Sequence, residues 1–258
     1  MNRIDQLFRD KPRHILNLYY TAGFPATGDT LPILESLQAA GADMAEIGIP
    51  FSDSLADGPV IQLANEASLA QGMSLKLLFS QLKDMRSSVK IPVILMGSLN
   101  PVLQYGMEAF LKTCRATGVD GVILPDLPVD EYEKHYAALF AAHGIHAVFL
   151  VTPETSDERL RKIDAVTGGF LYAVSSSSTT GTEQDFSRQE IYFKKLRDMR
   201  LSHPVLVGFG IRDRSTFEAA CRYTHGAIIG TAFINLLREH QADREAATNA
   251  FISQIKTT

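Results

Sequence analysis

Short apolar runs rich in β-branched residues recur eight times along this 258-residue chain, and segments with helical spacing separate them. Near-continuous apolar strands must be covered on both faces, so eight such βα units fit a closed parallel barrel better than an open doubly wound sheet. The sequence therefore predicts one α/β domain over residues 1–258, a single (β/α)8 TIM barrel. An extra N-terminal helix is expected at NRIDQLFRD, and another between strands 2 and 3 within residues 72–90. The eight candidate strands are ILNLYY from 15, MAEIGI from 44, IPVILM from 91, GVILPD from 121, HAVFLV from 146, GFLYAV from 169, PVLVGF from 204 and GAIIGT from 226.

Composition and charge exclude several classes of partner. Twenty-five basic and 29 acidic residues give a net charge of −4, without the long basic run that binding to nucleic acid favours. The N-terminus lacks the apolar core of a signal peptide, and no apolar run reaches the roughly 18 residues of a membrane span, so we expect a cytoplasmic protein without membrane contact. Cys114 and Cys221 are interpreted as reduced, buried thiols. His143 and His146 precede strand 5, away from the expected site, and no metal is expected.

Three carboxylates lie in or just after the second strand, in the stretch MAEIGIPFSDSLADGPVIQ. Active sites of such barrels form at the C-terminal ends of the strands, and side-chain alternation turns Glu46 into the barrel mouth. Apolar neighbours would raise its pKa toward neutrality and suit it to acid/base work; a glutamate satisfied by backbone donors or an arginine is the alternative. Asp57 lies in a more polar loop and is expected to stay ionised. It is either the second member of an acid/base pair or a cap of the helix that opens at Pro59.

Glycines at the ends of strands 7 and 8 indicate a phosphate site. Gly208, Gly210 and Gly230 leave room for a phosphate to approach backbone N–H groups near a helix N-terminus. The loop SSSSTTGTEQDF after strand 6 fits either an idle connection or a lid. No lysine lies at a strand end, so Schiff-base catalysis is not expected. These residues together predict a metal-free acid/base lyase or isomerase acting on a small phosphorylated substrate.

The loops, in their order and spacing, closely resemble those of the tryptophan synthase alpha chain family over nearly the whole chain. The matching stretches are EIGIPFSDSLADGPVIQ, TAGFP, LNPVLQYG, DLPVDE, TPETSDERL, FLYAVSSSSTTG, GFGI and GAIIGTA. The resemblance implies a lyase of tryptophan biosynthesis that reversibly cleaves indole-3-glycerol phosphate to indole and glyceraldehyde 3-phosphate by a retro-aldol reaction. It further implies a chain without a cofactor, whose partner in an αββα heterotetramer is a β subunit carrying pyridoxal phosphate.

The resemblance also implies roles for individual residues. Glu46 matches the general acid/base, and Asp57 matches the carboxylate that takes or stabilises the indole N–H proton. Asp53 and Thr180 match a gate in which Thr180 bonds Asp53 and closes the strand 2 loop against the lid. The expected substrate-binding residues are Thr180 and Gly181 in the lid, Gly181, Gly210, Gly230 and Thr231 at the phosphate, and Tyr19, Tyr172 and Phe209 around the indole.

Some positions depart from the family pattern. Ser54 stands where the family usually has proline, which should loosen the loop that meets the β subunit. Ser98 lies where an aromatic residue usually lines the pocket, which should leave the pocket wider or wetter. His225 replaces a usual aspartate before strand 8. The alternatives are a stand-alone indole-3-glycerol phosphate lyase, another acid/base isomerase of a phosphorylated precursor, and a non-catalytic barrel that activates a β subunit.

Overall fold

The computed structural model describes residues 1–54, 57–175 and 183–256, and describes the side chains of all of these except 183–188. Parallel strands close into a barrel in chain order, β1 pairing with both β2 and β8. The barrel and all eight predicted strands are confirmed. The strands are β1 Ile15–Thr21, β2 Met44–Gly48, β3 Val93–Met96, β4 Gly121–Ile123, β5 His146–Val151, β6 Leu171–Val174, β7 Val205–Gly208 and β8 Gly226–Ile229.

Helices connect the strands and surround the barrel. Both predicted extra helices are confirmed, since α1 precedes β1 and α4 lies between β2 and β3. None of the helices in the described ranges is long and apolar enough to cross a membrane. The helices are α1 Arg3–Asp10, α2 Thr30–Ala39, α3 Pro59–Ala70, α4 Leu75–Leu82, α5 Leu99–Tyr105, α6 Met107–Thr117, α7 Val129–Glu131, α8 Ala137–His143, α9 Asp157–Val166, α10 Glu183–Asp198, α11 Arg214–Cys221, α12 Thr231–Glu239 and α13 Arg244–Lys256, with 3-10 turns at Thr27–Asp29 and Met85–Ser87 and a π-helical turn at Tyr132–Tyr136.

Strand β1 shows how the barrel uses both faces of a strand. All seven of its residues are buried. Tyr20 faces the helix layer, where its hydroxyl donates to the Thr30 carbonyl of α2 at 2.7 Å. Asn17 faces the barrel interior, where its amide bonds Glu46 of β2. Successive side chains point to opposite faces, so Asn17, Tyr19 and Thr21 form one inward row.

Ion pairs lie at the end of the barrel where the strands begin. Asp120, just before β4, is bonded by Arg3 at 2.9 Å and by Arg86 at 2.6 Å, and is almost completely buried. His146 bonds Asp5 of α1 at 2.8 Å. These contacts attach α1 to the barrel and leave the opposite end open for chemistry.

Candidate active site

Glu46 lies at the centre of β2 and is fully buried, deeper than the mouth position that the sequence predicts. Its Oε2 accepts a hydrogen bond from Asn17 Nδ2 at 3.0 Å. Its Oε1 is buried and has no hydrogen-bond partner among the described residues. Burial raises the pKa of Glu46 to about 8; the Asn17 hydrogen bond lowers this pKa and the charge of Asp57 raises it. The predicted rise in pKa is confirmed, and a group with this pKa can give and take protons near neutral pH.

Asp57 is half-buried and held by two side chains at one oxygen. Ser54 Oγ donates to its Oδ2 at 2.6 Å, and Asn65 Nδ2 donates to the same atom at 3.1 Å. Ser54 was expected from the sequence to loosen the loop after β2. In the structure its hydroxyl bonds Asp57 directly. The cap of α3 is Gly58 and no side chain caps it, so the alternative that Asp57 caps this helix is wrong.

Tyr19 and Tyr172 lie close enough to Glu46 and Asp57 for the charges of these carboxylates to affect the pKa values of the two phenols. Burial raises the pKa of Tyr19 and of Tyr172 well above its ordinary value, and the charges of Asp57 and Glu46 add to the rise. Both hydroxyls occupy space that glycines leave free. A Cβ at Gly48 would lie 2.1 Å from the Tyr19 hydroxyl oxygen, and one at Gly208 would lie 2.2 Å from that of Tyr172. The two phenols thus stay protonated beside the acids.

Phe209 and Gly210 follow β7 and Gly230 follows β8, and the parallel pairing of these strands puts their ends side by side. Phe209 packs against Tyr172 with ring centroids 6.2 Å apart, and Ser175 Oγ donates to the Phe209 carbonyl at 2.5 Å. Gly210 has a φ of 72°, which favours glycine. Gly230 is the N-cap of α12, which begins at Thr231, and a Cβ at Gly230 would lie 3.4 Å from the Tyr19 ring.

A cavity of about 530 Å³ opens on the β1 to β4 side of the barrel mouth. Asp57 and Tyr19 line it, and Tyr19 pairs with Glu46 across β1 and β2. Asp53 lies exposed at its edge and accepts from Ser52 Oγ at 2.5 Å. Larger depressions lie elsewhere, one against α2 and α13 and one under α1, away from both site carboxylates. The lining residues are Tyr19, Ile49, Phe51, Asp53, Ser54, Asp57, Met96, Gly97, Ser98, Asn100, Pro125 and Asp126.

Of the predicted site residues, Tyr19, Asp53 and Asp57 line this cavity. Tyr172 lies on β6, and Phe209, Gly210, Gly230 and Thr231 lie just after β7 and β8. Thr180 and Gly181 lie outside the described residues, and so does the contact expected between Thr180 and Asp53. Asn17 and Asn65, which bond Glu46 and Asp57, were not predicted. Asn17 could have been found from its sequence, since it is an amide in an apolar strand and shares the strand face of Tyr19. Asn65 gives no comparable signal, because it lies on a helix.

The fold, with a cavity at the barrel mouth, places the chain among the (β/α)8-barrel enzymes, whose active sites form at the C-terminal ends of the strands. The family model described as tryptophan synthase alpha chain matches residues 6–258. The chain belongs to the tryptophan synthase alpha chain family.

Similar proteins span nearly the same length. The tryptophan synthase alpha chain of Parabacteroides distasonis is 52% identical over 247 residues, covering 95% of this chain and 96% of that protein. The one from Phocaeicola vulgatus is 49% identical over 257 residues, covering 99% and 100%. The crystal structure of the alpha chain from Legionella pneumophila superposes with a TM-score of 0.88 at 33% identity, covering 99% of this chain and 96% of that one. A chain of the tryptophan synthase complex from Pyrococcus furiosus superposes with a TM-score of 0.84 at 31% identity, and the match covers 93% of this chain and 96% of that one.

Proposed function

We propose that this chain is the lyase that cleaves indole-3-glycerol phosphate reversibly to indole and glyceraldehyde 3-phosphate in tryptophan biosynthesis. Its family membership supports the reaction, and one observation carries the site assignment. A fully buried glutamate with a pKa of about 8 lies within the electrostatic reach of an aspartate that two side chains hold in place. Acids in such unequal environments divide proton-transfer roles between them.

Glu46 acts first as an acid and then as a base. In its neutral form it donates a proton to the ring carbon that carries the glycerol chain. Its carboxylate then accepts the proton of the glycerol hydroxyl next to the breaking carbon–carbon bond. The electron pair of that bond returns to the indole ring, the hydroxyl carbon becomes the aldehyde, and Glu46 ends in its starting state. Burial supports this double role, because it brings the pKa close to the working pH.

Asp57 stabilises the positive charge that develops on the ring when its carbon is protonated. Its carboxylate takes the indole N–H proton or holds it in a hydrogen bond. The contacts from Ser54 and Asn65 support this role, since they fix the position of the carboxylate.

The rest of the site holds the substrate. Tyr19, Tyr172 and Phe209 contact the indole, and backbone N–H groups near Gly210, Gly230 and Thr231 bind the phosphate at the start of α12. Thr180 and Gly181 complete the site in the loop after β6, and Thr180 bonds Asp53 to close it. No step of this mechanism needs a cofactor on this chain.

The partner in this proposal is a β subunit that carries pyridoxal phosphate and receives the indole in a cytoplasmic αββα complex. The solved relative from Pyrococcus furiosus is named as a tryptophan synthase complex, which supports an assembled form. Nothing in the described residues favours a stand-alone lyase or a non-catalytic activator.

The decisive experiment measures indole release from indole-3-glycerol phosphate by the purified chain, with and without a β subunit. We expect slow release alone and much faster release with the partner. Glu46→Gln and Asp57→Asn should each lower kcat by about 100-fold or more while glycerol 3-phosphate still binds. Glu66→Gln, an exposed change on α3, is the matched control. A variant with wild-type turnover would remove that residue from the mechanism, and fast release that no partner raises would favour the stand-alone lyase.

A further inference from the structure

The side chain of Asn17 is an amide buried inside the barrel, and it makes a single hydrogen bond among the described residues. It is fully buried and lies opposite Met44 of β2 and Ile228 of β8 in the strand register. Among the described residues, the only hydrogen bond of its side chain is the one that Nδ2 donates to Glu46. Burying an amide costs free energy unless hydrogen bonds replace those to water. The hydrogen bond to Glu46 therefore offsets part of the free-energy cost of burying the Asn17 amide.

The atoms left over at this contact complement each other. Asn17 Oδ1 and Glu46 Oε1 are both buried, and neither has a partner in the described part of the chain. The N–H group suits a charged or carbonyl oxygen of Glu46, whereas a protonated Glu46 also has an O–H that needs an acceptor. Rotation of the Asn17 amide about its Cβ–Cγ bond would present Oδ1 to that O–H. The Asn17 amide can thus form a hydrogen bond with Glu46 in both of its protonation states.

We propose that Asn17 is the positioning residue of Glu46: it donates to the carboxylate, accepts from the carboxylic acid, and so holds the group in one place while its proton comes and goes. The proposal deepens the function proposed above and rests on it for its role in turnover. Asn17 is well suited to this work, because hydrogen bonds to β2 and β8 on both sides fix its backbone. Loss of the N–H donor should raise the pKa of Glu46, since that bond favours the charged form.

Two substitutions separate the donor role from the acceptor role. Asn17→Leu keeps similar volume and removes both functions. Asn17→Asp keeps the shape and the acceptors, and in its ionised form it has no donor. Asn235→Leu is the matched control, because Asn235 Oδ1 is also buried without a hydrogen-bond partner among the described residues, but Asn235 lies on α12 outside the barrel.

The primary readout is the pKa of Glu46 itself. It is measured by an NMR titration of protein labelled with ¹³C at the glutamate carboxyl carbons, in which the Glu46 signal is assigned by its absence in Glu46→Gln. We expect Asn17→Leu to raise this pKa by about one unit. Asn17→Asp should raise it further, because the new carboxylate accepts from the acid form of Glu46 and also repels its charged form. The alkaline limb of the pH profile of kcat should move up by the same amount, with KM little changed. Asn235→Leu should leave the titration and the profile as in the wild type.

An unchanged Glu46 pKa in a folded Asn17→Leu variant would overturn the positioning role. If that variant does not fold, Asn17→Asp decides, and a pKa at or below the wild-type value would overturn the proposal. A pKa in Asn17→Asp no higher than in a folded Asn17→Leu would remove the acceptor role. The titration needs no substrate, so a wild-type chain that releases no indole would refute the proposed function while Asn17 is still tested.

Discussion

The buried Glu46 should make the stability of this protein depend on pH in a defined window. Its pKa is about 8 in the folded protein against 4.5 for the ordinary side chain, with desolvation as the main cause. Between these values the folded protein keeps a proton that the unfolded chain has released. Because the folded pKa is raised, the contribution of Glu46 is fully present below pH 4.5 and is lost as the pH rises through 8. A shift of this size corresponds to a loss on the order of 5 kcal/mol in the free energy of unfolding.

Glu46→Gln removes the titration and keeps the shape and an oxygen for the Asn17 amide. The variant and the wild type should therefore have similar free energies of unfolding near pH 4.5. Above that pH the variant should gain on the wild type by about 1.4 kcal/mol per pH unit until about pH 8, and the difference should then stay level. The substitution that stops catalysis is thus expected to stabilise the fold under alkaline conditions.

Equilibrium urea unfolding at pH 5, 7 and 9, followed by far-UV circular dichroism because the chain contains no Trp, measures this difference. Glu66→Gln, which removes an exposed carboxylate from α3, controls for the general effect of one charge fewer. Parallel pH dependence of wild type and Glu46→Gln, or a wild type that is more stable at pH 9, would refute the reasoning.

Two further substitutions test other contacts. Gly208→Ala places a Cβ 2.2 Å from the Tyr172 hydroxyl oxygen, so we expect a displaced ring, a higher KM and a loss of about 1–3 kcal/mol in urea unfolding; Gly28→Ala, whose Cβ would meet nothing within 4 Å, is the control. Normal kinetics in Gly208→Ala would contradict this packing. Asp120→Ala leaves the half-buried Arg86 without its partner at 2.6 Å and should cost about 3–5 kcal/mol in the same assay, whereas Asp198→Ala, an exposed change, should cost little. Equal losses of unfolding free energy for the two substitutions would show that the stability of the barrel end beneath α1 does not depend on the Asp120–Arg86 ion pair.

Local patterns in the sequence were enough to predict the barrel and the direction of its main acid. Apolar periodicity gave the eight strands and both extra helices, since a strand or helix shows its buried face in its own residues. The same alternation predicted that Glu46 points inward. It also predicts that the Asn17 amide points inward, although it does not identify Glu46 as its partner.

The sequence by itself determined which elements form, in which order, that Glu46 points inward and that Asp57 lies in the loop after β2, because these properties depend on spacing along the chain. The tertiary structure decided how deeply Glu46 is buried, that Asn17 bonds it, and that Ser54 and Asn65 both hold Asp57. The contact of Asn17 with Glu46 joins two strands and spans 29 positions, and that of Asn65 with Asp57 joins α3 to the preceding loop, whereas Ser54 and Asp57 lie in one loop. The distance between Asn17 and Glu46 is set by strand register and barrel closure, which involve every strand at once and cannot be inferred from the spacing within one segment.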